Sequence, residues 1–319
     1  MYLTLTSVIV ASHRENSISS TLDSITNQIT YLTEHYEEIR TEIIVVTDYP
    51  NGHFQTMFPM VKWIYTDNKS ISIKRNIGLQ QAKGAIVAFV DDDCMPDLLW
   101  LNEGSEYLLQ HEDCAGVEGL TTIETSDTVL ACNVDYKRLE RPGFRTNNIF
   151  YRKCVLDSVG GFDENFSLQR EDMDLAFRLL EKGYKIDYDS NIRVTHALRP
   201  NEWYDLIKSC WNKRFDPLLY RKHRKLYRKY IRSPFPPSLL FLFVCYCLTI
   251  LTVCEPTVFK CVGFFSIFVS LGVVARRIRK GKKGLLIVLR EVLLVMTAPF
   301  VLVSALLFGN IKYRSFLFV

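Results

Sequence analysis

The chain has 319 residues, 48% hydrophobic and 23% charged, with 39 Lys/Arg against 35 Asp/Glu for a net charge of +4. That hydrophobic share excludes a disordered polyelectrolyte, and the length leaves room for one large domain plus further segments. The near-balance hides two basic clusters: residues 201–232 carry ten Lys/Arg and three acids, residues 276–283 carry six Lys/Arg, and the remainder holds 23 basic against 32 acidic residues, or −9.

Thr4–Ser12 reads as an opening strand, Thr21–Ile25 continues at helical spacing, and Glu42–Asp48 reads as a second buried strand ending on an acid. Lys74–Gly84 has a helical pattern closed by glycine. It feeds directly into Ala85–Val90, six consecutive apolar residues that read as a strand buried on both faces. Asp91-Asp92-Asp93 follow at once. Three carboxylates cannot stay buried unpaired, so they are expected to emerge at the strand's carboxyl edge, where open α/β sheets hold ligands. Carboxylates at the first and third positions can share a hard divalent ion that keeps sites for water and phosphate. On these three residues alone, an acidic turn is an equal alternative.

Downstream stand Thr146–Lys153, Gly160-Gly161-Phe162-Asp163-Glu164 and Glu171-Asp172-Met173-Asp174-Leu175, followed by the alternating run Ile192–Thr195 and then His196. Met173–Leu180 has helical spacing and ends at Gly183, which places Asp172 at or near a helix N-terminus. The macrodipole there favours an ionised carboxylate. A charge that merely caps the helix is the plainer alternative. Asn148 and Gly160-Gly161 read as structural, the glycines permitting a turn. The nine cysteines are scattered and lack paired zinc spacing, as expected of free thiols in a reducing compartment.

Residues 201–236 form a basic, aromatic-laced connector ending at Pro234-Phe235-Pro236-Pro237. Ser238–Cys254 is an uncharged apolar run of 17 residues, Glu255-Pro256 interrupts, Val258–Ala275 is broken only by Lys260, and Val292–Phe308 is a third run. Three such runs in the last quarter of the chain read as membrane spans. Leu285, Leu286 and Val288 read either as a short interfacial segment or as the start of the third span. Two spans between the basic clusters put both on one side, which the positive-inside rule makes cytoplasmic, with Glu255-Pro256 facing outward. The N-terminus lacks a basic region followed by an apolar stretch, so no signal peptide is expected and the N-terminal two-thirds should stay cytosolic. Arg221–Tyr230 reads as a surface held to anionic membrane lipids, or as a contact for the phosphates of a lipid-linked acceptor. Adjacency to a span argues against nucleic acid.

Taken in this order, these residues resemble the family 2 glycosyltransferases of GT-A fold over roughly the first two-thirds of the chain. The resemblance implies an α/β fold: a GT-A domain with a mostly parallel central sheet over residues 1–200. A basic amphipathic juxtamembrane connector over 201–236 and a transmembrane region of about three helices over 237–319 would follow. The implied activity is inverting transfer of a sugar from a nucleotide-diphosphate sugar to a hydroxyl of a lipid-linked or cell-surface glycan acceptor. The implied location is the cell membrane, multi-pass, with the catalytic domain cytoplasmic.

The resemblance also implies roles. Asp91 and Asp93 match the Asp-x-Asp positions that hold Mg²⁺ or Mn²⁺, Asp93 more directly, and Asp92 faces the donor sugar. His196 matches a histidine that ligates the metal in some relatives, or is a surface histidine at a strand end. Asp172 matches the general base. Ser12 ends the first strand in the nucleotide-sugar set, and Asp48 closes the second where the family carries an acid that contacts uracil or ribose. Here Thr47-Asp48-Tyr49-Pro50-Asn51-Gly52 replaces the family's acidic and glycine-rich turn. Lys74 and Arg75 either approach the diphosphate or uracil, or are solvated helix residues.

Three other functions share parts of this pattern. Polyprenyl-phosphate sugar synthases share the architecture but generally lack the Gly-Gly-Phe-Asp-Glu and Glu-Asp arrangement. Their phosphate acceptor is already ionised, so Asp172 argues for a hydroxyl acceptor. A processive polysaccharide synthase is disfavoured by the missing Gln-x-x-Arg-Trp motif. Asp91, Asp93, Asp172 and His196 together speak against a non-catalytic membrane scaffold with a decayed GT-A domain.

Overall fold

The computed structural model describes residues 5–35, 40–124, 139–197, 202, 204–251 and 285–317, with four isolated helical positions between 265 and 272. By contacts the chain divides into two units, residues 1–124 with 136–198, and residues 125–135 with 199–319.

In the first unit, strand β1 (Thr6–Ser12) is buried at all seven positions. Its side chains alternate between two layers: Val8 and Val10 pack with Ile18, Leu22 and Ile25 of helix α1 (Glu15–His35), whereas Ile9 packs with Leu79 on the opposite face. Helices thus cover both faces, which is why the strands read as continuous apolar runs. Strands β2 (Thr41–Thr47), β3 (Val61–Tyr65) and β4 (Ile86–Val90) pair in parallel: β3 with β2, β2 with β1, and β1 with β4. The remaining strands are β5 (Cys94–Pro96), β6 (Cys114–Ile123), β7 (Asn148–Arg152) and β8 (Lys185–His196). The full eight-stranded order is β3-β2-β1-β4-β7-β6-β8-β5. β7 is antiparallel to β4 and β6, and β5 is antiparallel to β8, so the sheet is mixed and mostly parallel, as the GT-A reading expects. β1 lies between β2 and β4, and the carboxyl ends of all three meet at one edge, a switch point where such sheets bind ligands.

Helices α2 (Gly52–Met57), α3 (Ile71–Gln81), α4 (Trp100–Gln110), α5 (Lys153–Ser158) and α6 (Glu171–Glu181) complete this unit. α3 stops earlier than the sequence suggests, at Gln81, with Ala82 already extended. Gly84 is therefore not the helix stop. A Cβ there would lie 2.5 Å from the Leu5 carbonyl oxygen and 2.7 Å from the Ser7 nitrogen, so glycine lets the link to β4 pass against β1. Gly160 and Gly161 both take positive φ. Asn76 clamps that turn to α3, accepting from Phe162 N–H at 2.8 Å and donating to Phe162 O at 2.9 Å. Arg178 of α6 donates to Val159 O and Gly161 O, both at 2.6 Å. Asn148 is structural as expected: it accepts from Trp100 Nε1 and donates to Leu120 O and Ile192 O.

The second unit is helical, with α7 (Asp205–Asn212), a 3₁₀ turn at Lys213–Phe215, α8 (Asp216–Lys222), α9 (Arg224–Tyr230), α10 (Pro237–Leu251) and α11 (Leu285–Lys312). α10 begins where the proline cluster ends, and Leu285 to Val288 are continuous with α11 rather than a separate interfacial segment. Leu289–Tyr313 is the one helix among the described residues long and apolar enough to cross a membrane. Val258–Ala275 is described only at those four positions between 265 and 272, and Glu255-Pro256 and the basic run 276–283 lie outside the described residues. At the C-terminal end of α11, Arg221 Nη1 donates to Tyr313 O at 2.7 Å, and Trp211 lies 5.7 Å from Phe308 between ring centroids.

Candidate active site

Asp91, Asp92 and Asp93 leave β4 at the shared edge, but only Asp91 emerges as the sequence reading expects. Asp92 and Asp93 are buried and paired. Asp92 Oδ2 accepts from Ser12 Oγ at 2.9 Å, His13 N–H at 2.8 Å and Arg14 N–H at 3.0 Å, while Oδ1 accepts from Arg14 Nη1 at 3.0 Å. The carboxylate stays buried because the turn after β1 is wrapped around it. Ser12 Oγ also lies 2.7 Å from the hydroxyl of Tyr49, whose pKa burial pushes up to about 12.

Asp93 Oδ2 accepts from Arg14 Nη1 at 2.9 Å, and Oδ1 lies 3.6 Å from His196 Nε2. The antiparallel register of β5 with β8 places Cys94 opposite His196. His196 Nδ1 sits 2.8 Å from Ala197 O. Because a carbonyl can only accept, Nδ1 carries a proton, and Nε2 is the ring nitrogen that faces Asp93, the orientation a metal-ligating histidine needs. Donor atoms of Asp93, Cys94 and His196 all fall within 4.8 Å of one another. A carboxylate and an imidazole suit Mg²⁺ or Mn²⁺ with water completing the shell, and the thiol is the softer donor of the three. His196 is buried rather than a surface residue. Asp91 stands outside this group and pairs instead with Arg75 Nη2 at 3.0 Å.

Beneath the edge, Lys74 is fully buried and donates to Ser12 O at 2.6 Å, Asp48 Oδ1 at 2.8 Å and His13 Nδ1 at 2.8 Å. Nδ1 is therefore the acceptor, His13 is neutral, and its proton sits on Nε2. Burial and the neighbouring Lys74 hold the imidazole below its ordinary pKa. Burial pushes Asp48 up, but the bond and charge of Lys74 outweigh it and hold the carboxyl below its usual range. Arg75 is also buried. Burial works against its charge, and Asp91 and Glu171 more than restore it. The solvated-helix reading of Lys74 and Arg75 is thereby overturned, because two buried cations persist only with partners such as these.

Glu171 and Asp172 open α6, immediately after Arg170, which adopts left-handed backbone at φ 77. Arg75 Nη1 donates to Glu171 Oε1 at 2.8 Å, and Glu171 Oε2 is buried with no hydrogen-bond partner among the described residues. Burial, then the adjacent Asp172, raises Glu171 to about 7. Asp172 Oδ1 accepts from Met173 N–H at 2.6 Å, yet burial still raises its pKa. The helix terminus does not win here, because its pull on a carboxylate is smaller than the cost of removing one from water. Asp174 is tied to Arg178 at 2.8 Å.

Arg14, His13 and Tyr49 were not singled out from the sequence. The signal was available: His13-Arg14 follow β1 directly, so the rule that flags residues after β4 flags them too.

Residues 7–126 match the family model for glycosyl transferase family 2, and residues 118–309 match that for glycosyl transferase family group 2. The chain is 28% identical over 215 residues to glycosyltransferase AglE of Haloferax volcanii, covering 62% of this chain and 68% of that one. It is 24% identical over 250 residues to the glucosyl-dolichyl phosphate glucuronosyltransferase of the same organism, covering 67% and 78%. Similarity to the pre-mycofactocin glycosyltransferase of Mycobacterium tuberculosis is 28% over 147 residues, 41% of this chain but only 31% of that one.

Proposed function

The chain belongs to the family 2 glycosyltransferases, and from that premise we propose that it transfers a sugar, with inversion, from a nucleotide-diphosphate sugar to a hydroxyl of a lipid-linked or cell-surface glycan. The observation that carries this reading is the buried Arg75, which spans from Asp91 at the β4 edge to Glu171 beside Asp172. One guanidinium thus ties Asp91 on the donor side to Glu171, the neighbour of the candidate base.

In this reading Asp93 and His196 would hold Mg²⁺ or Mn²⁺, with Asp91 a neighbouring acid. Such an ion offsets the charge that grows on the departing diphosphate. Ser12, Asp48, Lys74, Arg75, Asp91 and Asp92 shape the nucleotide-sugar side. Asp172 takes the acceptor hydroxyl's proton as the oxygen bonds to the anomeric carbon and the bond to the diphosphate breaks, its electrons leaving with the phosphate oxygen. A raised pKa makes Asp172 a stronger base once ionised. The domain assignment follows: a GT-A domain over residues 1–200, a basic connector over 201–236 on the cytoplasmic face, and a membrane region over 237–319 that includes Leu289–Tyr313. A relative named glucosyl-dolichyl phosphate glucuronosyltransferase supports a lipid-linked sugar as acceptor.

Membranes carrying the protein, incubated with a panel of nucleotide sugars and Mn²⁺ or Mg²⁺, are expected to consume one of them. Consumption of none by folded protein would favour the scaffold alternative.

A further inference from the structure

Arg14 stands against both buried acids of the β4 edge. Its Nη1 reaches Asp92 Oδ1 at 3.0 Å and Asp93 Oδ2 at 2.9 Å. The arginine side chain is 39% exposed, whereas those of the two acids are 4% and 2% exposed. Asp92 has other partners, since Ser12 Oγ and two backbone N–H groups already converge on its Oδ2. What the guanidinium adds is a positive charge on Asp93, delivered from the solvent side. Asp93 Oδ1 is the oxygen that faces His196 Nε2.

We propose that Arg14 is a resident counter-cation of Asp93 that opposes a divalent ion arriving alone. The inference rests on the metal-assisted reading given above. An ion on Oδ1 and a guanidinium on Oδ2 share one carboxylate's charge and repel each other. An ion that arrives with a diphosphate meets less opposition, because the exposed guanidinium can turn to the phosphate oxygens. The ion and the nucleotide then favour each other's binding, and between turnovers Asp93 remains compensated. If Arg14 only anchored the loop on Asp92, or preorganised Asp93 for the ion, its removal would leave ion affinity unchanged or weaken it.

The test is a Mn²⁺ titration of the full-length protein without nucleotide, with the free ion followed by its electron paramagnetic resonance signal. Arg14→Gln keeps a donor for Asp92 and removes the charge, and its Mn²⁺ dissociation constant is expected to fall about fivefold or more. Arg14→Lys keeps the charge and is expected to bind as weakly as wild type. Unchanged or weaker binding in Arg14→Gln, or equally tight binding in both variants, overturns the role of Arg14 and leaves the metal site standing. No Mn²⁺ bound by either protein even with a nucleoside diphosphate added overturns the metal-assisted reading itself.

Discussion

Arg75 Nη1 lies 2.8 Å from Glu171 Oε1, a bond that joins the middle of α3 to the first residue of α6 across 96 positions of sequence. The same guanidinium lies 3.0 Å from Asp91 and 5.6 Å from the Phe162 ring centroid, so one planar group is held by two acids and an aromatic face. Arg75→Met would leave two carboxylates without their cation, one of them buried. Loss of one partner from a buried pair typically costs about 3–5 kcal/mol. The thermal midpoint is therefore expected to drop well below wild type, with Arg75→Lys intermediate because an ammonium cannot fork between both acids. A midpoint within error of wild type for Arg75→Met would mean the pair is spent on neither stability nor placement.

The raised pKa of Glu171 has a stability consequence whose sign is fixed. In the unfolded chain the carboxyl ionises near the ordinary glutamate value of about 4.5, whereas in the folded protein burial raises its pKa to about 7. Between those values the folded state binds more protons, so stability falls as pH rises through that window. Glu171→Gln keeps an acceptor for Arg75 and cannot ionise. Its midpoint is expected to decline less steeply between about pH 4.5 and 7 than that of wild type, and parallel profiles would sink the assignment.

How much of this was legible beforehand differs by residue, for physical reasons. The apolar runs at Ile43–Val46 and Ile86–Val90 announced doubly covered strands, and Asp48 and Asp91–Asp93 announced their edge, because a strand buried on both faces leaves charge only at its end. The partners of those acids were not legible. Arg14 reaches Asp93 across 79 positions and Lys74 reaches Asp48 across 26, and local pattern carries no record of such pairings. Lys74 and Arg75 read equally as diphosphate or uracil contacts and as a solvated helix face, because a helical pattern shows which residues share a face but not which face the sheet covers. The expected downward push on Asp172 failed similarly, since burial is a tertiary quantity. Gly84 misled differently: a glycine after a helical run usually marks a stop, and here it serves close backbone approach.

Asp172→Asn tests the proposed base. Asparagine keeps the size and the bond to Met173 N–H but cannot take a proton. Loss of a general base typically costs about 10²–10⁴-fold in rate. Transfer to a sugar hydroxyl should collapse while nucleotide binding with metal present, read calorimetrically, persists, because the nucleotide side is assigned to Ser12, Asp48 and the β4 acids. Transfer at near wild-type rate would point to an acceptor that is already ionised, and the polyprenyl-phosphate synthase reading would take first place.

The tie between the basic segment and the end of α11 sets which side of a membrane Tyr313 would face. Leu289–Tyr313 has 25 residues. At 1.5 Å per residue it measures roughly 37 Å, enough to cross a hydrocarbon core of about 30 Å. Its C-terminal end is tied to the basic segment by the Arg221–Tyr313 bond and the contact of Trp211 with Phe308. If the positive-inside rule places that segment in the cytoplasm, Tyr313 is cytoplasmic too, and Leu289 lies at the far surface. The sequence expectation of three spans, with residues 276–283 cytoplasmic, would put residues after α11 outside, so under the positive-inside placement it and this tie predict opposite sides for Tyr313. α10, directly after the connector, is then the first candidate for a crossing that returns the chain to the far surface. In a cysteine-free background, Leu286→Cys is expected to react with a membrane-impermeant maleimide in intact cells. A cysteine appended after Val319 should react only once the cells are opened. Labelling of the appended cysteine from outside intact cells would restore three spans and break the link between the basic segment and the end of α11.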